Sequence, residues 1–581
     1  KDGKTNAKLK LIAGMLDVGF DALKQRDLRR RARRMTAVAA LALVVMVVTS
    51  VLAVAALISR HDAVIAQQKA VAARQAAVVA QEAAQRRQKQ AEGLVGFMLG
   101  DLNDKLRQVN RLDILQSVDD KAMAYFNSLS SKDVTDAALT MRADALLKIG
   151  SVRQDQGQIP AALESYSRAS KLAGELLRRS PSDVRRQAEY ANSLTWVGYA
   201  HWYQGDLAHA LQNFREAGDA LRTAHTEQPG NAELAFKLST ALTNAGRVLE
   251  AQGELAAAKR NYESVQGIFE KLVSADPGNG KWQSGLGDAH DSLGKLALEQ
   301  GQLVQALKEY RTNQRIQLRL AVQDATDHGQ GYELLISDAI LGRTLALCNQ
   351  MDAASAYLDE AVKQATRLMS ASSADTNLRF LFARYSEQLG GVLRQQEKFA
   401  AAAAADTQSL DVLEKLAASD STNTEWLQEL ERSRIEGARL RLARHDPGAA
   451  KKLIVSALDG IEILRTHSAD DRNLTLLAMQ GELVAGQLAA QQQNMQGARA
   501  NWDRARVLAA SAPLSGADPT FLATQASVLL LLDKSDAAAP LLARLATMGY
   551  RTADLAALTA SKDVAYATDP GLKQRIELAL R

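Results

Sequence analysis

Glycine returns on a fixed grid at Gly150, Gly198, Gly246, Gly294, Gly342, Gly390 and Gly486, forty-eight residues apart; the one gap is Ala438, with Gly437 beside it. Twelve residues beyond the grid points stand Ala162, Ala210, Ala258, Ala306, Ala354, Ala402, Ala450 and Ala498. Sixteen beyond come Tyr166, Phe214, Tyr262 and Tyr310, then Leu358 and Trp502; twenty-six beyond come Leu176, Leu272, Leu320, Leu368, Leu416 and Leu464. Registration of this kind marks a tandem of one supersecondary unit, which cannot bury its apolar face alone and must stack on its neighbours. A chain of 581 residues, too long for one core, fits an array better than a globule.

The unit reads as two helices. Glycine and alanine are small where helices cross closely, and an aromatic four residues after the alanine lies on the same helix face. Gly157, Gly205, Gly253 and Gly301 fall seven after the grid point, where a helix stops and turns. Pro181, Pro229 and Pro277 close the second helix. Aromatics at 5% and only nine prolines suit long helices.

This glycine–alanine–aromatic–proline order resembles the tetratricopeptide repeat. That unit has about 34 residues; here the glycine-to-aromatic spacing matches, while the proline and the next grid glycine each come seven residues late. The spacing therefore predicts two antiparallel helices, each longer by about two turns, roughly 10 Å. The expected fold is all-α: a tetratricopeptide-like α-solenoid of about eight to nine antiparallel pairs. The repeats are expected over 135–515, with a shorter repeat and a capping helix over 516–581. The stretch 94–134 breaks the grid and reads as the other cap.

Residues 36–58, TAVAALALVVMVVTSVLAVAALI, carry no charge and no proline. A helix of that length spans roughly 35 Å, enough for a hydrocarbon core of about 30 Å. A secretory signal would have a shorter apolar core. Seven basic residues precede the span (Lys24, Arg26, Arg29, Arg30, Arg31, Arg33, Arg34), the densest of them in segment 28–35, against Arg60 close behind it. The positive-inside rule then places the N-terminus in the cytoplasm and the repeats across a bacterial inner membrane, in the periplasm. The net charge of +5 is concentrated here: residues 1–34 carry eleven Lys/Arg and four Asp, leaving a slightly acidic remainder. That balance argues against nucleic acid as a partner. Residues 59–93 read as an alanine- and glutamine-rich helical stalk, in which Ala66, Ala70, Ala73, Ala77, Ala80 and Ala84 form a heptad seam flanked by Val64, Val71 and Val78. Such a seam suits either a homodimeric coiled coil through 61–90 or a single helix prolonging the span.

No phosphate-binding loop, zinc-protease or nucleophile-elbow motif is present, so no catalytic residue, metal or cofactor is expected. The histidines His61, His201, His209, His225, His290, His328, His445 and His467 read as scattered. The cluster Gly287–Asp291 (GDAHD) reads as a solvated helix face, and Cys348 as a small buried hydrophobe on a repeat helix. Binding is the better expectation. Positions six and three before the grid glycine, and one and four after it, share a face. By the resemblance, that face lines a concave groove for a protein or peptide ligand. It carries Asn192, Thr195, Tyr199 and Trp202; Thr240, Thr243, Arg247 and Glu250; and Asp288, Asp291 and Lys295.

The chain opens with Lys1 and reads as cut from a longer protein. In residues 1–27, Asn6 to Ala13 (NAKLKLIA) and Gly19-Phe20-Asp21, followed by the arginine run, resemble the C-terminal end of a bacterial TIR domain. Leu9, Ile12, Leu16 and Phe20 read as one helical stripe. The resemblance implies a signalling domain upstream, in many cases an NAD hydrolase, whose catalytic body is absent from these residues. Receptor Ser/Thr kinases join a basic stretch, one membrane helix and repeats in the same order, and an envelope assembly scaffold is a third reading.

Overall fold

The first helix of every long pair starts at the same point of the forty-eight-residue interval, and the reason is its cap. In a computed structural model of the chain, Thr135, Asp183, Asn231, Asn279, Asp327, Asp375, Asn423 and Asp471 are the N-caps, their side-chain oxygens accepting backbone N–H bonds from the first turn. Satisfying orphan donors in this way fixes where a helix begins. The grid of capping residues runs beside the glycine grid and was the part of the repeat not read from the sequence. The structure describes residues 3–97, 121, 135–371, 375–467, 471–511, 518–567 and 569–581. Among these residues there are twenty-two helices and no strand.

The chain divides into two units, Lys1–Asn110 and Arg111–Arg581. In the first, α1 (Lys4–Met15) is followed by α2, one continuous helix from Phe20 to Phe97. Between them Asp17 takes a left-handed conformation, φ +49°. Leu16 and Phe20 therefore do not continue the helix of Leu9 and Ile12, which corrects the single stripe expected there. Within α2 the apolar stretch has a mean hydropathy of 2.9 and no buried residue, so one helix is long and apolar enough to cross a membrane. The basic run before it and the stalk after it belong to the same helix. Most of the expected N-terminal cap, 94–134, lies outside the described residues.

The second unit is a paired-helix solenoid. Eight long pairs follow one another: α3 (Asp136–Asp155) with α4 (Ile159–Arg179), α5 (Val184–Tyr203) with α6 (Leu207–Glu227), α7 (Ala232–Ala251) with α8 (Leu255–Ala275), α9 (Gly280–Glu299) with α10 (Leu303–Gln323), α11 (His328–Leu347) with α12 (Met351–Ala371), α13 (Thr376–Gln395) with α14 (Phe399–Ser419), α15 (Thr424–Ala443) with α16 (Pro447–His467), and α17 (Arg472–Gln491) with α18 (Met495–Ser511). A ninth, shorter pair is α19 (Pro519–Leu531) with α20 (Ser535–Met548), before α21 (Ala553–Ser561) and α22 (Leu572–Leu580). First helices of the long pairs are 20 residues long, so the residues beyond the usual repeat length are shared between the two arms.

The grid residues hold each pair together. All eight alanines of the second helices are fully buried, and the rings of Tyr166, Phe214 and Tyr262 are at most 1% exposed. Each ring lies directly against its grid glycine: a Cβ at Gly198 would stand 2.6 Å from Phe214 and one at Gly294 2.7 Å from Tyr310. Burying one such ring contributes on the order of 2–3 kcal/mol. The turn inside each pair needs one left-handed residue. Gly157, Gly205, Gly253 and Gly301 supply it at φ between +71° and +77°, and Asn349, Glu397, His445 and Gln493 supply it in the later pairs at +57° to +62°.

The array also closes on itself. Met548 lies over Gly301, the Arg551 N–H donates to Leu347 O at 2.7 Å, and Arg311 Nε donates to Leu580 O at 3.1 Å. Arg394 on α13 grips Asp554 with both guanidinium ends, at 3.0 and 2.7 Å. Leu572 and Ile576 share a core with Leu303, Leu307 and Leu345. The C-terminal segment thus crosses the edge formed by the turns of the fourth, fifth and sixth pairs. Cys348 sits at the C-cap of α11 rather than within a helix, 4% exposed in that same core.

Candidate functional site

At most steps between long pairs the first helices approach one another more closely than the second helices do, so they form the inner wall of the curve. On that wall α7 and α9 stand further apart than most neighbouring first helices, and a cleft of about 740 Å³ lined by both opens there. Glycine makes the room: α9 begins Gly280-Lys281-Trp282-Gln283-Ser284-Gly285-Leu286-Gly287, and the Phe269 ring lies directly against Gly285. Phe236, Phe269 and Leu320 line the cleft together with Ser239, Thr240, Thr243, Asn244 and Ser284. Arg247 and Lys281 bring positive charge, Asp288, Asp324 and Asp327 negative. The Lys281 ammonium stands 3.8 Å above the Phe236 ring, an arrangement that holds a cation over an aromatic face.

Of the eleven groove residues expected from the sequence, Tyr199, Thr240, Thr243, Arg247 and Asp288 line this cleft. The other six lie elsewhere. Asn192 is exposed away from the cleft, and the Thr195 hydroxyl donates to Ala191 O at 2.9 Å. Trp202 packs into the core made with Val248 and Leu249 of the following pair. Glu250 accepts from Tyr262 Oη at 2.9 Å and pairs with Lys295, so both charges are spent on each other. Asp291 is half-buried below the cleft. Tyr199 itself is held at both ends, its hydroxyl accepting from Asn244 Nδ2 at 2.8 Å and its ring edge-on to Phe214.

The face read from the sequence stopped six residues before the grid glycine. Phe236, Lys281 and Ser284 lie one to two turns further toward the helix starts. Lengthened helices deepen the wall by those turns, and extending the same periodicity would have found them.

The solvated face expected for Gly287–Asp291 holds for Asp288 only. His290 is buried and bonds Glu309 through Nδ1 at 2.7 Å, pointing at α10. Asp288, though open to solvent at the cleft, is raised above its ordinary value because the surrounding walls displace part of its hydration, with Arg247 opposing. Asp291 is pushed to about 6, by burial first and by Asp288 second. Two other histidines prove not to be scattered: the rings of His201 and His209 stack at 5.1 Å between centroids, with Asp206 beside both.

No protein-family profile and no curated protein matches the chain. Among solved structures it is similar to the apo form of RapI at 12% identity, over 71% of this chain and 97% of that one, with a TM-score of 0.47. It is similar to the apo form of the quorum sensor NprR from B. thuringiensis at 14% identity, over 65% of this chain and 92% of that one, TM-score 0.41. A tetratricopeptide repeat protein from Parabacteroides merdae matches at 14% identity, over 58% of this chain and 98% of that one, TM-score 0.32. The solenoid rests on its own repeat geometry.

Proposed function

We propose that this chain is the ligand-binding region of a membrane-anchored receptor, and that the cleft between α7 and α9 takes an extended peptide or peptide-like ligand carrying a cationic group. The cleft carries the reading: it joins apolar floor, hydroxyl and amide walls and charges of both signs, the mixture expected of a site that fixes orientation as well as affinity. Acidic groups outnumber basic ones at its rim, which favours a cation on the ligand. Binding without chemistry is the function assigned. The long apolar helix serves as the anchor, with the basic residues before it on the cytoplasmic side and the repeats outside. A homodimer through the valine and alanine seam of the stalk gives such a receptor a means of relaying occupancy. The signalling partner is a TIR domain upstream of Lys1; kinase motifs there instead would assign the repeats to a receptor kinase.

The test uses the full chain in nanodiscs and a displayed library of random peptides. Selected peptides are expected to lose at least about tenfold in affinity, near 1.4 kcal/mol, when Arg247→Glu and Asp288→Lys are introduced together. Both side chains are exposed, so the array stays folded. Peptides that bind the doubly reversed protein equally well, or no selection at all, would remove the cleft assignment. A periplasm-active reporter fused after Arg581 checks orientation, and a silent one reverses it.

A further inference from the structure

The turn of the second pair carries a constellation that the other turns lack. His201 stands in the last turn of α5, Asp206 caps α6, and His209 lies in the first turn of α6. At the two histidine positions the other seven long pairs carry Arg, Leu or Ala and then Ala, Gln or Gly. Two histidines thus depart from the repeat pattern on either side of a carboxylate position that Glu254 and Asp446 also occupy in their pairs, giving the spacing His-x4-Asp-x2-His only here. The turn folds that spacing into a single point: Gly205 is left-handed at φ +76°, its N–H donates to Trp202 O at 2.9 Å, and the Asp206 N–H donates to His201 O at 2.9 Å.

One oxygen is the focus. Asp206 Oδ2 lies 2.7 Å from His209 Nδ1 and 3.3 Å from His201 Nδ1. His209 makes a hydrogen bond there. His201 does not: its Nδ1 is buried and has no hydrogen-bond partner, although it is turned toward the same carboxylate. Asp206 Oδ1 accepts the His209 backbone N–H at 3.2 Å, which orients the carboxylate so that Oδ2 faces both imidazoles. The ligand atoms of the three side chains all lie within 4.8 Å of one another. An ion with nitrogen and oxygen bonds of about 2.0–2.2 Å reaches all three with small side-chain rotations.

We propose that His201, Asp206 and His209 form a binding site for a borderline divalent transition metal of the Zn2+ class. Two imidazoles and one carboxylate select against Mg2+ and Ca2+, which prefer oxygen ligands alone. His209 and Asp206 are 62% and 36% exposed at their side chains, so a fourth position faces solvent and takes water or a ligand from a partner molecule. A bound ion pins the end of α5 to the start of α6.

The experiment uses the detergent-solubilised full chain, stripped with chelator and titrated with Zn2+, and separately with Co2+ as a coloured substitute. One Zn2+ is expected to bind saturably and raise the melting temperature, and Co2+ is expected to show visible d–d absorption of a four- or five-coordinate site. His209→Ala, an exposed position, is expected to weaken Zn2+ binding by at least about tenfold with the chelated melt unchanged. Asp206→Asn is expected to do the same while keeping the helix cap, since asparagine caps as well as aspartate. Absence of saturable Zn2+ binding, or binding unaltered in both variants, would show that the three side chains are a hydrogen-bonded turn and nothing more.

Discussion

Gly198 and Phe214 meet so closely that neither has room to change alone. With a Cβ placed 2.6 Å from the ring, Gly198→Ala forces the buried Phe214 off its seat. Overpacking of this kind costs about 1–3 kcal/mol, and a lowered unfolding midpoint in urea measures it. Combining it with Phe214→Leu, which shortens the opposing side chain, should recover part of the loss, because contacting residues do not add. An additive double variant would mean that the ring and the glycine are not in contact. The same pair explains why leucine replaces the aromatic in the fifth pair: Leu358 still reaches Gly342, where an added Cβ would stand 2.9 Å away.

Among the helices, what could be read in advance follows from what repeats. The glycine, alanine and aromatic positions recur, so the pairing, the period and the number of pairs were legible from spacing alone. The left-handed turn was legible in the first four pairs, where glycine marks it. In the later pairs Asn349, Glu397, His445 and Gln493 hide the same backbone under ordinary side chains. Holding Glu397 at φ +59° has a cost that glycine would not bear. Glu397→Gly should therefore raise stability by about 0.5–1 kcal/mol, less than the full strain because glycine also loosens the unfolded chain; a thermal melt that falls instead would show that the glutamate earns its place through contacts. The cleft was half legible. Arg247, Thr243 and Asp288 follow the face of the repeat, whereas the depth of the wall depends on helix length and the metal-capable turn on His201 and His209, which no other long pair shares.

For the molecule as a whole, buried carboxyls set the response to pH. Asp291 and Asp338 are pushed up to about 6, and Glu299 and Glu431 to about 7, with burial the leading cause in each. Between the ordinary carboxyl range and those values the folded chain holds protons that the unfolded chain releases. Their contribution to stability is therefore complete only below about pH 4, where the unfolded carboxyls are protonated as well, and is lost progressively as pH rises from there through 6 and 7. The melting temperature of the full chain should fall from pH 5.5 to pH 8, and a melt that rises over that interval would contradict the burial of these groups. The closed edge acts at the same scale. In an open solenoid each repeat answers only to its neighbours, but here Arg311 bonds a residue 269 positions away. The turns of the fourth to sixth pairs consequently leave the ribosome with Leu303, Leu307 and Leu345 uncovered, and wait through the synthesis of three further pairs for Leu572 and Ile576 to reach them. The middle of this array is completed last, so a stalled or clipped chain offers chaperones and proteases its centre, not its end.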